Sequence, residues 1–239
     1  MSKFLLIESG TNVCSLAIAF DDKIVGLKES ADEKAHAAQL TVFIDQLIKE
    51  TGISISQLDA IAVSKGPGSY TGLRIGVSAA KGICYAADKP LIAISSLDSM
   101  TYGASNLYQS IIQNNQIEKL CPMIDARRME VYTSLYDIHL KRVEQIEALV
   151  VNELTFNEGL KTKKTLFFGN GASKCKLVIN HPNAFFVDDF LPSARFMLPL
   201  TLKAFTDQSF EDVAYFEPYY LKDFVTTQPR KKVFPGLQS

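Results

Sequence analysis

Residues 65–76 read Lys-Gly-Pro-Gly-Ser-Tyr-Thr-Gly-Leu-Arg-Ile-Gly and join an apolar run at 58–63 to a helix-forming run that continues to about residue 87. Proteins of the α/β class often place ligands at a glycine-rich turn between a strand and a helix, because the first N–H groups of a helix lack partners within it. The segment therefore predicts a strand–turn–helix unit of an α/β fold.

The same segment matches neither of the common phosphate-binding patterns. The dinucleotide pattern G-x-G-x-x-G would need a glycine at Thr71, and the P-loop pattern would need Gly-Lys-Ser/Thr five residues after Gly66 or Gly68. The plainer interpretation is a tight turn fixed by Pro67 and its neighbouring glycines, which is the commoner use of these residues.

Composition limits the classes of function. The chain of 239 residues is long enough for one large domain or two compact lobes, and its 47% apolar content is typical of a folded globular protein. Lys plus Arg number 25 and Asp plus Glu number 26, so there is no overall positive charge of the kind expected in a protein that binds nucleic acid alone.

Cysteine usage and the N-terminal sequence indicate a reducing compartment. Cys14, Cys84, Cys121 and Cys175 are widely spaced and form no C-x-x-C pair, which favours buried free thiols. The apolar run at 5–7 is too short for the core of a signal peptide, and no apolar run approaches the ~18 residues of a membrane helix. We therefore expect a cytoplasmic protein that does not enter a membrane.

Hydrophobic periodicity predicts a repeated plan of strands and helices. In the first half it predicts strands at 4–7, 14–20, 24–27, 58–63 and 91–94, with one helix at about 37–51 and a second that follows the glycine-rich turn, from residue 73 to about 87. In the second half it predicts strands at 122–126, 129–136, 143–151, 165–168 and 185–187, and helices at 153–160, 172–179 and 193–206, the last with a kink or break at Pro199.

The predicted fold is a two-lobed α/β protein of actin-like, ribonuclease-H-like architecture with a duplicated βββαβα unit. Its lobes would span 1–105 and 106–225, and 226–239 would be a mobile tail that carries three adjacent basic residues.

Two strings carry a resemblance to a known family. The main one resembles the signature of the bacterial TsaB family, formerly called YeaZ, and contains Gly66, Pro67, Gly68, Ser69, Tyr70, Thr71, Gly72 and Arg74. A weaker match is Asp-Ala-Arg-Arg-Met-Glu-Val-Tyr at 125–132. The resemblance implies a non-catalytic protein that binds TsaD, the enzyme that transfers threonylcarbamoyl to the tRNA adenosine beside the anticodon. It also implies TsaE as a further partner, a TsaC-type enzyme that supplies threonylcarbamoyl-adenylate, a homodimer when TsaD is absent, and contact with tRNA only through the complex.

The two helices of the first half are the predicted partner-binding surface. Small residues three and four apart on the second helix would let another helix approach closely, although packing on the parent sheet accounts equally well for one face. By resemblance, the candidate contact residues are Leu40, Phe43, Leu47, Leu73, Ile75, Ala79 and Ile83.

A nucleotide site between the lobes is the competing prediction. In actin-like proteins the turn between the first two strands of each half contacts phosphate, and the candidates here are Ser9, Thr11, Asp125, Gly169 and Gly171, with Glu8 at the start of the first turn. The first turn lacks the basic residue and the glycine-rich stretch that usually hold a terminal phosphate. The alternative of a small-molecule kinase or ATPase, or of a metallopeptidase-like enzyme, acting in this cleft stays open, and no cofactor is predicted.

The histidine pattern predicts no metal site. TsaD-type enzymes hold a metal with two histidines four residues apart on one helix face, but here Leu40 stands four residues after His36 and Asp32 four before it. Neither Ser69 nor Cys84 has a base nearby in sequence, so no catalytic residue is predicted.

Overall fold

The chain forms two β-sheets of the same plan. The structure is a computed structural model that describes residues 1–31 and 36–222, and at residues 36–38 it describes the backbone alone. The first sheet consists of β1 (Lys3–Glu8), β2 (Cys14–Phe20), β3 (Lys23–Ser30), β4 (Ala60–Gly66) and β5 (Leu91–Ser95). Its order is β3-β2-β1-β4-β5, in which β1 is antiparallel to β2 and parallel to β4. Helix α1 (His36–Thr51) joins β3 to β4 through a 3₁₀ turn at Ile55–Gln57, and α2 (Tyr70–Ala87) joins β4 to β5.

Both faces of the first sheet are buried, which explains its nearly continuous apolar strands. On one face, Leu5, Ile7 and other side chains of the sheet pack against α1 and α2. On the other, Phe4, Leu6 and Ala62 pack against a segment from the end of the described chain, a 3₁₀ turn at Ala194–Met197.

Two helices that periodicity did not predict follow the first sheet: α3 (Ser96–Leu107) and α4 (Gln109–Asn114). Helix α3 buries seven of its positions around most of its circumference, including Ser99 and Thr101. The side chain of Ser95 caps it by accepting a hydrogen bond from the N–H of Asp98 at 3.4 Å. Its sequence is rich in serine, threonine and asparagine, which favour helix ends and turns over helix interiors and so hide the helix.

The second sheet repeats the order of the first. Its strands are β6 (Lys119–Asp125), β7 (Glu130–Thr133), β8 (Tyr136–Asp137), β9 (Glu147–Val150), β10 (Thr165–Phe168) and β11 (Ala184–Phe186), with short helices α5 (Asn157–Leu160) and α6 (Ala172–Cys175). The order β9-β7-β6-β10-β11 matches β3-β2-β1-β4-β5 position by position, with β6 parallel to β10 and antiparallel to β7. The predicted duplicated α/β architecture is therefore confirmed.

The last helix, α7 (Leu198–Thr206), extends the cover of the first sheet. The predicted break at Pro199 corresponds to the change from the 3₁₀ turn into α7, in which proline stands in the first turn, where its missing N–H costs no helical hydrogen bond. The lobe limits at 105 and 225 remain predictions, and the chain after Pro192 contacts the first sheet as well as the second lobe.

Residues 211–222, which we call the C-terminal strap, cross the first lobe beside α2. The N–H of Glu211 donates to the carbonyl oxygen of Leu91 at 2.9 Å, and the N–H of Tyr219 donates to that of Lys65 at 2.7 Å. Between them, the ammonium of Lys81 on α2 donates to the carbonyl oxygens of Ala214 and Phe216 at 3.1 and 2.9 Å.

The predicted mobile tail at 226–239 lies outside the described residues. Over the ranges 1–31 and 36–222, no helix combines the length and apolar character needed to cross a membrane.

Candidate functional site

The glycine-rich segment is the junction at which α2 meets the turn between β1 and β2. Ser69 stands before the first residue of α2, and its hydroxyl accepts a hydrogen bond from the N–H of Gly72 at 3.3 Å. The N–H of Ser69 donates in turn to the carbonyl oxygen of Gly10 at 2.7 Å. The start of the helix is thus bonded to the turn that actin-like folds use for phosphate.

Close backbone approach explains two of the glycines. A Cβ on Gly68 would lie 1.9 Å from the carbonyl oxygen of Gly10, and one on Gly72 would lie 2.1 Å from that of Ser9. Since real Cβ contacts are much longer, any side chain at these positions would push α2 away from the turn. The motif acts here as a packing motif and not as an open phosphate loop.

The second lobe covers its own first turn in the same manner. The N–H of Gly171 donates to the carbonyl oxygen of Met123 at 3.0 Å, and the N–H of Asp125 donates to the side-chain oxygen of Asn170 at 3.0 Å. The amide nitrogen of Asn170 also lies 3.5 Å from the side-chain oxygen of Asn12. This contact joins the two turns where the lobes meet.

The five residues predicted to contact nucleotide lie around this meeting point, but several are closed off. Ser9 and Thr11 are 0% and 3% exposed, and the hydroxyl of Ser9 has no hydrogen-bond partner among the described residues. The carboxylate of Asp125 lies 3.0 Å from the ammonium of Lys174. Gly169 and Gly171 form the covering loop. Nucleotide binding here stays a prediction, and in this conformation the buried hydroxyls offer no surface to a ligand.

A buried carboxylic acid supports the first turn. Glu8 is 1% exposed, and one of its oxygens accepts a hydrogen bond from the N–H of Gly10 at 2.7 Å. Burial raises the pKa of Glu8 to about 7, against the opposing hydrogen bonds from Gly10 and Ser64. The turn is therefore held partly by a group that is close to half protonated near neutral pH.

A cavity among the described residues lies elsewhere, between β5, the chain before β9, α7 and the C-terminal strap. It measures about 810 Å³, and its wall includes Lys65, Ser95, Asp98, Arg142, Leu200 and Tyr219, but none of the five residues predicted to contact nucleotide. Sequence reasoning missed this cavity, because its charged residues are far apart in the chain and belong to no motif.

Three side chains in and beside this cavity connect the lobes. The guanidinium of Arg142 lies 2.5 Å from a carboxylate oxygen of Asp98, and the hydroxyl of Tyr136 donates to the same oxygen at 2.6 Å. Burial is the main reason why the pKa of Tyr136 is raised, and the neighbouring Asp98 adds to it. Asp98 belongs to α3, whereas Tyr136 and Arg142 belong to the second lobe.

The structure corrects the predicted partner surface at three positions. Leu40, Leu47 and Leu73 are 1%, 0% and 1% exposed, because they form the core between α1, α2 and the first sheet. In this conformation they have no surface to give to a partner.

The other four candidates, Phe43, Ile75, Ala79 and Ile83, are partly buried against that core. Two exposed residues of these helices, Val42 at 49% and Tyr85 at 86%, stand outside the seven predicted contact residues. Gly82 lies on the same helix as Tyr85, and a Cβ added to it would meet no atom within 4 Å.

His36, the histidine considered as a metal ligand, has a side chain outside the described part of the structure. Asp32, four residues before it, lies outside the described residues. Elsewhere in the described ranges, no three His, Cys, Asp or Glu side chains come together as metal ligands would.

The repeated five-strand order and the two covered turns define the class of actin-like, two-lobed α/β proteins. The family model described as "TsaD: tRNA N6-adenosine threonylcarbamoyltransferase" matches residues 24–215. The Haemophilus influenzae protein named tRNA threonylcarbamoyladenosine biosynthesis protein TsaB is 28% identical, over 93% of this chain and 94% of its own length. The Escherichia coli protein of the same name is 27% identical, over 93% and 96%.

A solved structure supports the same fold. YeaZ from Pseudomonas aeruginosa superposes with a TM-score of 0.78 at 24% identity, over 92% of this chain and all of that one. The chain belongs to the TsaB (YeaZ) branch of the family that the matching model describes.

Proposed function

We propose that this chain is a non-catalytic subunit in the biosynthesis of threonylcarbamoyladenosine on tRNA, and that it binds the transferase TsaD and holds it in an active conformation. TsaE is the third member of the complex, and the chain forms a homodimer through the same surface when TsaD is absent. The complex works in the cytoplasm, and TsaD carries the catalytic groups.

Gly82 is the observation that carries this proposal. A glycine inside a helix lowers its stability by roughly 1 kcal/mol relative to alanine. Gly72 has a reason within the fold, since the carbonyl oxygen of Ser9 occupies the space of its Cβ, whereas around Gly82 there is open space. A partner that approaches the helix backbone closely at Gly82 would supply the missing reason.

The surroundings of Gly82 define the surface available to that partner. One side of α2 faces the core through Leu73, and another lies under the C-terminal strap through Lys81. Gly82 lies on the solvent side of α2, Tyr85 is 86% exposed at the edge of that side nearer the strap, and Val42 on α1 is 49% exposed. We call these three residues, together with the partly buried Phe43, Ile75, Ala79 and Ile83, the α1–α2 face. Small and apolar residues on neighbouring helices suit close helix–helix packing.

The covered turns also support a non-catalytic role. Catalysis of phosphate chemistry needs groups that reach the substrate, but the hydroxyls of Ser9 and Thr11 are buried beneath the start of α2. The chain therefore keeps the frame of a nucleotide-binding fold while its first turn is used for internal packing.

The test measures binding of the purified full chain to cognate TsaD by calorimetry. Gly82→Arg places an unpaired charge in the proposed contact, and because a buried unpaired charge costs several kcal/mol, affinity should fall by roughly 100-fold or more. Gly159→Arg is the matched control, because Gly159 on α5 likewise has no atom within 4 Å of its Cβ position. Equal affinity of the two variants would reject the α1–α2 face as the contact.

A further inference from the structure

Four tyrosines from three separate segments come together beside the glycine-rich motif. Tyr70 begins α2, Tyr132 lies on β7, and Tyr219 and Tyr220 belong to the C-terminal strap. They surround a small hollow whose wall also includes Gly68 and Lys222. The rings of Tyr70 and Tyr220 have centroids 5.0 Å apart at an angle of 41°. We call these four residues the tyrosine cluster.

Positive charges lie directly beside these rings. The guanidinium carbon of Arg74 is 4.4 Å from the ring centroid of Tyr70, and the ammonium of Lys222 is 5.9 Å from that of Tyr132. Burial raises the pKa of Tyr132, and the charges of Lys222 and Arg127 oppose this rise. A carboxylate is also near, since Glu130 pairs with Lys222.

An independent observation concerns the turn between β6 and β7. Its residues Arg127 and Arg128 both have positive φ, 70° and 49°, and both side chains are exposed. In this backbone region glycine is unstrained and asparagine is tolerated, whereas other residues cost on the order of 1 kcal/mol each. Neither arginine has an ion-pair partner among the described residues. Among the described residues, the turn thus keeps two exposed arginines without an ion pair, at a cost in stability. It meets the tyrosine cluster through Glu130 at the start of β7, whose carboxylate pairs with Lys222 of the strap.

We propose that the tyrosine cluster, together with Arg74, Arg127, Arg128 and Lys222, is a contact site for unpaired nucleotides of an RNA loop. Aromatic rings stack on unpaired bases and cations bind the phosphates between them, which is how proteins hold single-stranded RNA. The inference rests on the proposed function, which brings the chain to tRNA. With a net charge of −1, the chain contributes orientation of the loop more than affinity.

The experiment measures the fluorescence anisotropy of a labelled RNA stem-loop, and of the matching full duplex, with the full chain alone. The stem-loop should bind more tightly than the duplex, because only its loop exposes base faces. Tyr219→Ala should weaken stem-loop binding on the order of 10-fold. Tyr215→Ala is the control: it lies on the same strap, is 85% exposed and stands outside the cluster, so its affinity should not change.

A second variant separates charge from folding. Arg127→Asn with Arg128→Gly places at both positions residues that tolerate positive φ, so the protein should become more stable while it loses two cations. The slope of log affinity against log salt should become shallower by about 0.7 for each phosphate that the protein no longer neutralises. Lys161→Gln with Lys163→Gln removes the same charge elsewhere and should leave this slope unchanged.

Three results would overturn the inference. The first is the absence of stem-loop binding at ~100 μM protein, a concentration at which even weak non-specific binding of nucleic acid is detected. The second is equal binding of stem-loop and duplex. The third is that cluster variants bind RNA normally but bind TsaD weakly. The last would make the cluster a protein contact. Because the RNA assay contains no TsaD, its failure leaves the proposed function intact, and the calorimetric test can fail while RNA still binds.

Discussion

Gly72 and Gly82 lie on the same helix but have opposite surroundings, which gives a direct test of the packing account. Gly72→Ala should lower the free energy of unfolding by about 2 kcal/mol or more, because its Cβ would meet the carbonyl oxygen of Ser9 at 2.1 Å. Gly82→Ala should raise it by roughly 0.5–1 kcal/mol, since it adds helix propensity in open space. Urea unfolding measures both, and similar effects of the two variants would show that the approach of α2 to the turn is wrong.

Glu8 makes stability depend on pH in a predictable direction. Its pKa is about 7 in the folded protein and near its ordinary 4.5 when unfolded, so between these values the folded state holds a proton that the unfolded state has lost. Stability conferred by this group therefore falls as pH rises from 4.5 to 7 and then levels off. Relative to Glu8→Gln, the wild type should lose roughly 3 kcal/mol across this window.

The comparison uses urea unfolding of both proteins at several pH values, so that other titrating groups cancel. Glu158→Gln is a suitable control, because the Glu158 side chain is 87% exposed. A constant difference between wild type and Glu8→Gln from pH 4.5 to 8 would contradict the buried acid at the first turn.

Strands and amphipathic helices could be predicted from the sequence, because each leaves a period in it. Strand β2 was predicted at its observed limits, Cys14–Phe20, and α1 to within one residue. Helix α3 was not predicted, since it begins with serines and contains further ones, such as Ser99 and Ser105, which favour helix ends and turns. Its helical state depends on contacts with both lobes, such as that of Gly103 with Phe196.

The site was predicted less completely than the fold for a related reason. The motif at residues 66–76 marked the turn, but its partner at Ser9 and Gly10 is some sixty residues away in sequence. Periodicity also could not separate residues that face the core, such as Leu47, from those on the α1–α2 face, such as Phe43. Both are apolar, and only the packing of α1 against α2 and the sheet decides between them.

The attachment of the two lobes to each other depends on the group formed by Asp98, Tyr136 and Arg142. Asp98→Ala would leave the hydroxyl of Tyr136, a residue only 1% exposed, without its acceptor, at a cost of about 1–3 kcal/mol. The ion pair itself adds little, because both charged side chains are about one-third exposed. Thermal unfolding should show a clear loss of stability.

Asp188→Ala is the matched control, because it breaks an ion pair with Lys176 whose side chains are half exposed, and it should change stability by less than about 0.5 kcal/mol. In a double-mutant cycle, Tyr136→Phe should reduce the cost of Asp98→Ala, since no hydroxyl is then left without an acceptor. Additive effects would indicate that the hydroxyl does not depend on Asp98.

The most direct test of the proposed role is the amount of threonylcarbamoyladenosine formed on tRNA by cognate TsaD, TsaE and a TsaC-type enzyme, with and without this chain. We predict that modification requires the chain, that Gly82→Arg abolishes it without unfolding the protein, and that Gly159→Arg supports it normally. Equal modification without the chain, or with Gly82→Arg in its place, would contradict a role that depends on the α1–α2 face.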